Sequence, residues 1–401
     1  MPRIEIDRVS KRYGTVAVLR DVSLTVEDGE YFSLLGNTGG GKTTLLHVVA
    51  GLVRPDAGRI LIDGVDVTKR PPHERNLGLV FEQYALFPHY SVRQNLCYSR
   101  VVKAKDGRET DGLMREMLRM LHLDSDRAEA LPSELSGGMQ QRVALGRALM
   151  NVEDEGVLLL DEPFKALDAG LRMSLRVEVR RLAKSLGLTV LHVTNDTVEA
   201  MLVSDRVAIV KNGRIVQVGT PDELYLRPNC FYSAYFTSQT VFFEGRVVGS
   251  EGEVYEVVVD DGLEFFVARS QVPEYLRPNV EEGRVVVLVR NHHFKVEPAC
   301  AYGGADILGS NSGNPPDDRK NWFMGTVDSV KFMGPFTHLA VRVIPPKGGT
   351  GRVLDIEVPT MFDTTQKFKP GVVAWLRFSP NKAFAFPHPG SEKLRAHYQQ
   401  I

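Results

Sequence analysis

Eight consecutive residues, Gly36-Asn37-Thr38-Gly39-Gly40-Gly41-Lys42-Thr43, satisfy the pattern G-x-x-x-x-G-K-[ST], and no other segment constrains the fold as tightly. Glycines let successive backbone N–H groups turn inward around a polyphosphate, and a helix that starts there adds its own unpaired N–H groups. The flanks suit this use. Glu30-Tyr31-Phe32-Ser33-Leu34-Leu35 reads as a short strand, and Thr44-Leu45-Leu46-His47-Val48-Val49-Ala50 reads as a helix opening straight after the loop. Lys42 is placed to reach terminal phosphates and Thr43 to offer its hydroxyl to Mg²⁺, so Gly36 through Thr44 are the candidate nucleotide-binding residues.

A chain of 401 residues exceeds one ordinary core, so two or more domains are expected. Up to about residue 235, short apolar runs such as Val157-Leu158-Leu159-Leu160 and Thr189-Val190-Leu191-His192-Val193 alternate with helical stretches, as in a mainly parallel α/β sheet. The opening Ile4-Glu5-Ile6-Asp7-Arg8-Val9 alternates instead and implies a small antiparallel subdomain. A helical subdomain is expected at about 88–150, where Gly112 to Leu121 carries a periodic apolar face.

From about 237 to 401 the runs become short, β-rich and glycine-punctuated. The motif Gly-x-Val recurs at 245–247 and 325–327, which points to two five-stranded, barrel-like (OB-type) halves joined by a polar loop at about 308–320. A net charge of -1 argues against a nucleic-acid partner. Cys97, Cys230 and Cys300 lack metal-like spacing and fit a reducing compartment. The N-terminus carries no apolar signal, and no stretch approaches a membrane span, so any membrane role is expected to come through a partner.

Two further motifs carry chemistry. Asp161 and Glu162 close an apolar strand, where open α/β sheets bind ligands; Asp161 is the candidate Mg²⁺ holder and Glu162 the general base for water. Leu135-Ser136-Gly137-Gly138-Met139-Gln140 opens a helix and forms a second anion-binding N-terminus, which invites a composite site.

Taken together, these motifs resemble the ATP-binding subunit of an ABC transporter, of the importer subfamily serving sugars, polyamines, ferric ion or oxyanions, over residues 3 to about 236, with a tail similar to that subfamily's regulatory β-domain. The resemblance implies an α/β P-loop domain with antiparallel and helical subdomains. It makes Gly36–Thr43 the Walker A loop, Val157–Glu162 the Walker B strand, and Tyr13 the aromatic that stacks on adenine, a hydrophobic-core tyrosine being the alternative. Leu135 through Gln140 become the signature that contacts ATP held by a second copy, and Ala166, Leu167 and Asp168 the loop lining that dimer interface. Implied partners are membrane permease subunits docking on the helical segment and, indirectly, a solute-binding protein; the implied cofactors are ATP and Mg²⁺, at the cytoplasmic face of a prokaryotic membrane.

Two positions depart from the pattern. The family places glutamine directly after Phe81, where this chain has Glu82 with Gln83 one step late; the metal and catalytic role falls to Glu82, and Gln83 remains a weaker nucleotide-binding candidate. The family places histidine at Asn195, whose amide can donate to a γ-phosphate but carries no charge. His192 is expected to be a strand residue in the core. A transporter ATPase with impaired or retuned hydrolysis is therefore expected, and a nucleotide-dependent regulatory or scaffolding subunit with little turnover is the other reading. A DNA-repair ATPase is disfavoured for want of coiled-coil arms. Phe243-Glu244-Gly245 faintly resembles the tail of molybdate or tungstate importers. Asn291-His292-His293-Phe294, taken as strand, would point its two imidazoles to opposite faces and so disfavours a metal pair.

Overall fold

The computed structural model describes residues 2–123, 125–152, 156–165, 167, 169–281, 283–299, 321–346, 348, 351–361 and 364–388. Cys300, the polar segment at 308–320, Ala166 and Asp168 lie outside them. The chain divides into two compact units, Met1–Leu226 and Arg227–Ile401.

In the first unit the chain runs β1 (Ile4–Tyr13), β2 (Val16–Val26), β3 (Tyr31–Leu35), α1 (Lys42–Ala50), β4 (Ala57–Ile62), β5 (Val65–Asp66), β6 (Leu77–Val80), α2 (Val92–Val102), α3 (Gly107–Met120) and α4 (Gly137–Asn151). It continues through β7 (Val157–Asp161), α5 (Ala169–Ser185), β8 (Thr189–Thr194), α6 (Thr197–Val203), β9 (Arg206–Lys211), β10 (Arg214–Gly219) and α7 (Pro221–Leu226). The alternating N-terminus forms the expected antiparallel sheet, in the order β2-β1-β4-β5 with Ile4 opposite both Val26 and Ile62.

The second sheet runs β10-β9-β3-β8-β7-β6, parallel except for β10. Strands β3, β7 and β8 are buried at every position, which is why they read as unbroken apolar runs. Their side chains nevertheless divide between two cores. Leu158, Leu160 and Val190 pack with Leu96, Met117 and Leu145 of α2, α3 and α4, while Val157, Leu159 and Val193 pack with Leu45 and Leu46 of α1 and with the antiparallel sheet.

The second unit contains α8 (Phe231–Phe236), β11 (Thr240–Glu251), β12 (Val254–Val259), β13 (Glu264–Ala268), α9 (Arg277–Glu281), β14 (Arg284–Arg290), β15 (Lys295–Pro298), β16 (Trp322–Phe332), β17 (Phe336–Val343), β18 (Val353–Pro359), α10 (Thr364–Lys367), β19 (Val373–Arg377) and β20 (Ala383–Pro387). Its two five-stranded sheets are β13-β12-β11-β14-β20 and β15-β19-β16-β17-β18. The recurring Gly-x-Val lies at matching places on the two long central strands, and each strand shifts register just after it, at Val247/Gly249 and Val327/Ser329.

The halves are not laid out in linear succession. Strand β20, from the end of the chain, pairs with β14 of the first sheet, and β15, which precedes the polar segment, pairs with β19 of the second. Each sheet thereby covers an edge of hydrogen-bonding groups with a strand from the other half. Two local expectations change. Asn291–His293 is a short 3₁₀ turn rather than strand, and it brings the two imidazole rings to 4.5 Å. Phe243 is wholly buried against Phe265 and Phe323, so this residue of the oxyanion-importer likeness is a packing residue.

Candidate functional site

The phosphate loop joins β3 to α1, as its flanks require. Gly41 sits at φ 98°, and a Cβ there would fall 2.7 Å from the Val18 carbonyl oxygen; at Gly36 a Cβ would meet the Val210 oxygen at 2.2 Å. These approaches hold the loop against its neighbours. Helix α1 has no side-chain cap and no acidic residue in its first turn, so its opening N–H groups are left for an anion. Lys42 is 4% exposed and folds back to donate to the carbonyls of Gly36 (2.7 Å) and Asn37 (3.0 Å). Burial lowers its pKa, while Glu162 and Asp161 pull in the opposite direction. Thr38, Gly39 and Thr43 are exposed, Thr44 is partly covered, and the Gly40 carbonyl takes the Gly213 N–H.

Parallel pairing across β3, β8 and β7 brings the ends of these strands together beside the loop. The Thr43 hydroxyl donates to Asp161 Oδ1 at 2.9 Å, and His47 Nε2 stands 3.8 Å from Asp161 Oδ2. Asp161 is buried, and desolvation raises its pKa despite the Thr43 hydrogen bond. A carboxylate and a hydroxyl aimed at each other beside a phosphate loop are hard oxygen donors of the kind Mg²⁺ takes, so the residues present fit that ion.

Glu162 follows in the left-handed region at φ 47°, and its N–H donates to the Val193 carbonyl at 2.9 Å. That turn sends its carboxylate to the backbone N–H of Asn195, beyond β8. Desolvation raises the Glu162 pKa and the charges of Lys42 and Lys165 oppose the rise. Asn195 is exposed. His192, by contrast, is fully buried within β8, with Nδ1 3.1 Å from Ser33 Oγ and Nε2 2.9 Å from Glu199 Oε1.

Glu82 and Gln83 lie in the exposed loop after β6. Glu82 is close enough to Asp161 to raise its pKa, and it pairs with Lys165 at 2.7 Å. Gln83 points to solvent, and its carbonyl accepts from the Ala85 N–H at 2.6 Å. Tyr84 and Ala85 both adopt positive φ, and Arg147 of α4 holds this strained stretch by donating to the Tyr84 (2.9 Å) and Ala85 (2.7 Å) carbonyls. Tyr13, at the end of β1, is 50% exposed and therefore not a core residue.

The signature residues are displayed elsewhere. Leu135 is buried in the core shared with α2 and α3, Ser136 caps α4 by accepting from the Met139 N–H at 3.4 Å, and Gln140 Nε2 donates to the Pro132 carbonyl at 2.8 Å. Met139 packs on that same core, Gly138 is buried, and Ser136 and Gly137 are exposed. Leu167 is buried.

Sequence reasoning missed Arg147, Arg75 and Lys165. Arg75 is buried and donates to the Val48 and Val49 carbonyls at the end of α1 and to the Thr68 and Arg70 carbonyls. Which groups these three side chains meet depends on the tertiary fold, and no local pattern in the sequence marks them.

A family model described as ABC transporter matches residues 19–165, and relatives match nearly the whole chain. The chain belongs to the ATP-binding subunits of ABC transporters, which bind and hydrolyse ATP to energise transport. Among its relatives, the spermidine/putrescine import ATP-binding protein PotA of Nostoc sp. strain PCC 7120 is 36% identical over 374 residues, covering 93% of this chain and 91% of the relative. The protein of the same name from Thermotoga maritima is 38% identical over 341 residues, 85% of this chain and 86% of the relative. The dimeric structure of MJ0796, a bacterial ABC transporter cassette, superimposes with a TM-score of 0.50 at 30% identity, over 54% of this chain and 98% of the other.

Proposed function

We propose that two copies of this chain pair head to tail, each holding ATP on Gly36–Thr44 with its adenine against Tyr13, and each completing the other's site with Leu135–Gln140. The observation that carries the reading is the placement of two helix starts on different cores of one unit: α1, with no side-chain cap, and α4, capped by Ser136 but with Ser136 and Gly137 exposed. The relative solved as a dimer supports the pairing. Ala166, Leu167 and Asp168 belong to the loop between the copies in this reading.

Mg²⁺ bound at Thr43, Asp161 and Glu82 would neutralise charge on the phosphates. Lys42 binds the terminal phosphates once they displace the Gly36 and Asn37 carbonyls from its ammonium. Glu162 takes the proton of the attacking water, with its carboxylate held by the Asn195 N–H. Asn195 offers an amide to the γ-phosphate but no charge, which favours slow turnover as the variant form of this reading.

The energised process is import of a small cation of the polyamine class, from the names of the relatives, through separately encoded permease subunits that a solute-binding protein supplies from outside, with this chain at the cytoplasmic face of the membrane. A groove of about 730 Å³ lined by Leu79, Phe87, Tyr98, Val102 and Arg147 supports docking of a permease helix on the helical subdomain. Val101 and Val102 are 70% and 66% exposed beside it, an apolar edge awaiting a partner. Among the described residues no helix is long and apolar enough to cross a membrane. The test is uptake of labelled spermidine by cells carrying the gene and its neighbouring permease genes, with and without Glu162→Gln. Uptake lost in the variant supports the reading; spermidine uptake indifferent to the gene, with uptake of a sugar or oxyanion dependent on it, overturns the substrate class.

A further inference from the structure

Lys165 lies in the turn after β7, where its N–H donates to the Glu162 carbonyl at 3.2 Å. Its ammonium stands 2.7 Å from Glu82 Oε1, joining segments 83 residues apart in sequence. Four other charged groups surround the same point: Lys42, Asp161, Glu162 and Glu82 itself. Lys165 is drawn electrostatically to Glu82 first, and then to Glu162 and Asp161. An exposed pair of this kind, with side chains 51% and 48% accessible, adds little to stability. Its consequence is local. A glutamine after Phe81 would bring a neutral amide oxygen to the metal; Glu82 brings a full negative charge next to Asp161 and the phosphates, and Lys165 is positioned to cancel it.

We infer that Lys165 is a positioning residue of the nucleotide site, holding the Glu82 carboxylate between the two loops and offsetting its charge so that ATP and Mg²⁺ are both accepted. This rests on the reading of Glu82 as a group facing Mg²⁺-nucleotide. Glu82 and Lys165 then act as a unit where the family pattern has one uncharged side chain, and the charge of Glu82 is not tolerated without Lys165.

The test is a double-mutant cycle on ATP binding, followed by a fluorescent ATP analogue and titrated with Mg²⁺, which requires no turnover. Lys165→Ala should weaken binding without metal by roughly three- to tenfold and lower the half-saturating Mg²⁺ by a similar factor, because the unpaired carboxylate now seeks the cation. Glu82→Gln combined with Lys165→Ala should restore both to within about twofold of the wild type, and Lys165→Arg should leave both unchanged. If Lys165→Ala has the same effect in the wild type and in E82Q, the two side chains act independently and the inference is overturned. If wild-type binding ignores Mg²⁺ altogether, the reading of Glu82 as metal-facing fails and the inference fails with it; an additive cycle in a Mg²⁺-dependent wild type removes the inference alone.

Discussion

Glu162 must be both half-buried and charged. Its left-handed backbone costs about 1 kcal/mol, and desolvation raises its pKa, yet only the ionised carboxylate can take a proton from water. Turnover should therefore fall on acidification at a pH above the ordinary glutamate range. Stability runs the other way. Between 4.5, its ordinary value, and the raised folded value, the folded state keeps a proton that the unfolded chain has lost, so this group's contribution declines as pH rises through that window. Glu162→Gln should abolish turnover by at least about a hundredfold while raising the melting temperature at pH 7 and leaving it unchanged at pH 4. Phosphate release and calorimetry at both pH values check this; a variant less stable at pH 7 would show that the carboxylate is held favourably. Asn195→His, which restores a group able to carry charge at the γ-phosphate, should speed phosphate release by roughly two- to tenfold. Equal or slower release would mean that the amide is sufficient here.

Helix α4 ties two functions to one rod. Ser136 begins it at the signature, and Arg147, eleven residues on, grips the Tyr84 and Ala85 carbonyls of the loop that carries Glu82 and lines the groove proposed for the permease. A shift of α4 on closure of a dimer would move that loop with it. Arg147→Ala should cost about 1–3 kcal/mol in chemical denaturation, since those carbonyls lose their donor, and should reduce uptake more than ATP turnover. A proportional loss of both would place Arg147 in the chemistry and not in coupling. Elements such as β7 and α1 were legible in the sequence because their signals are local: an unbroken apolar run ending in Asp161, or a glycine loop before a helix. The grip of Arg147 and the pairing of Glu82 with Lys165 were not, because each joins residues far apart in the chain. The exchange of β15 and β20 between sheets escaped for the same reason: a strand of four or five residues carries no mark of which edge it will cover.

At the scale of the molecule, the nucleotide-binding unit presents its phosphate loop and its signature on separate cores, and the chain's relatives named as polyamine importers extend over both units. Gly245 and Gly325 lie at matching places on the central strands of the two sheets of the second unit. The central claim is that one copy cannot assemble a complete ATP site. Mixing two inactive variants tests it most directly: Lys42→Ala, which spoils the phosphate loop, and Ser136→Arg, which spoils the signature. After unfolding and refolding together, or co-expression, random pairing places one intact loop opposite one intact signature in each mixed dimer. Phosphate release should return to roughly a quarter of the wild-type rate, although each variant alone is inactive. No recovery in mixtures shown by mass to contain the mixed dimer would contradict the shared site.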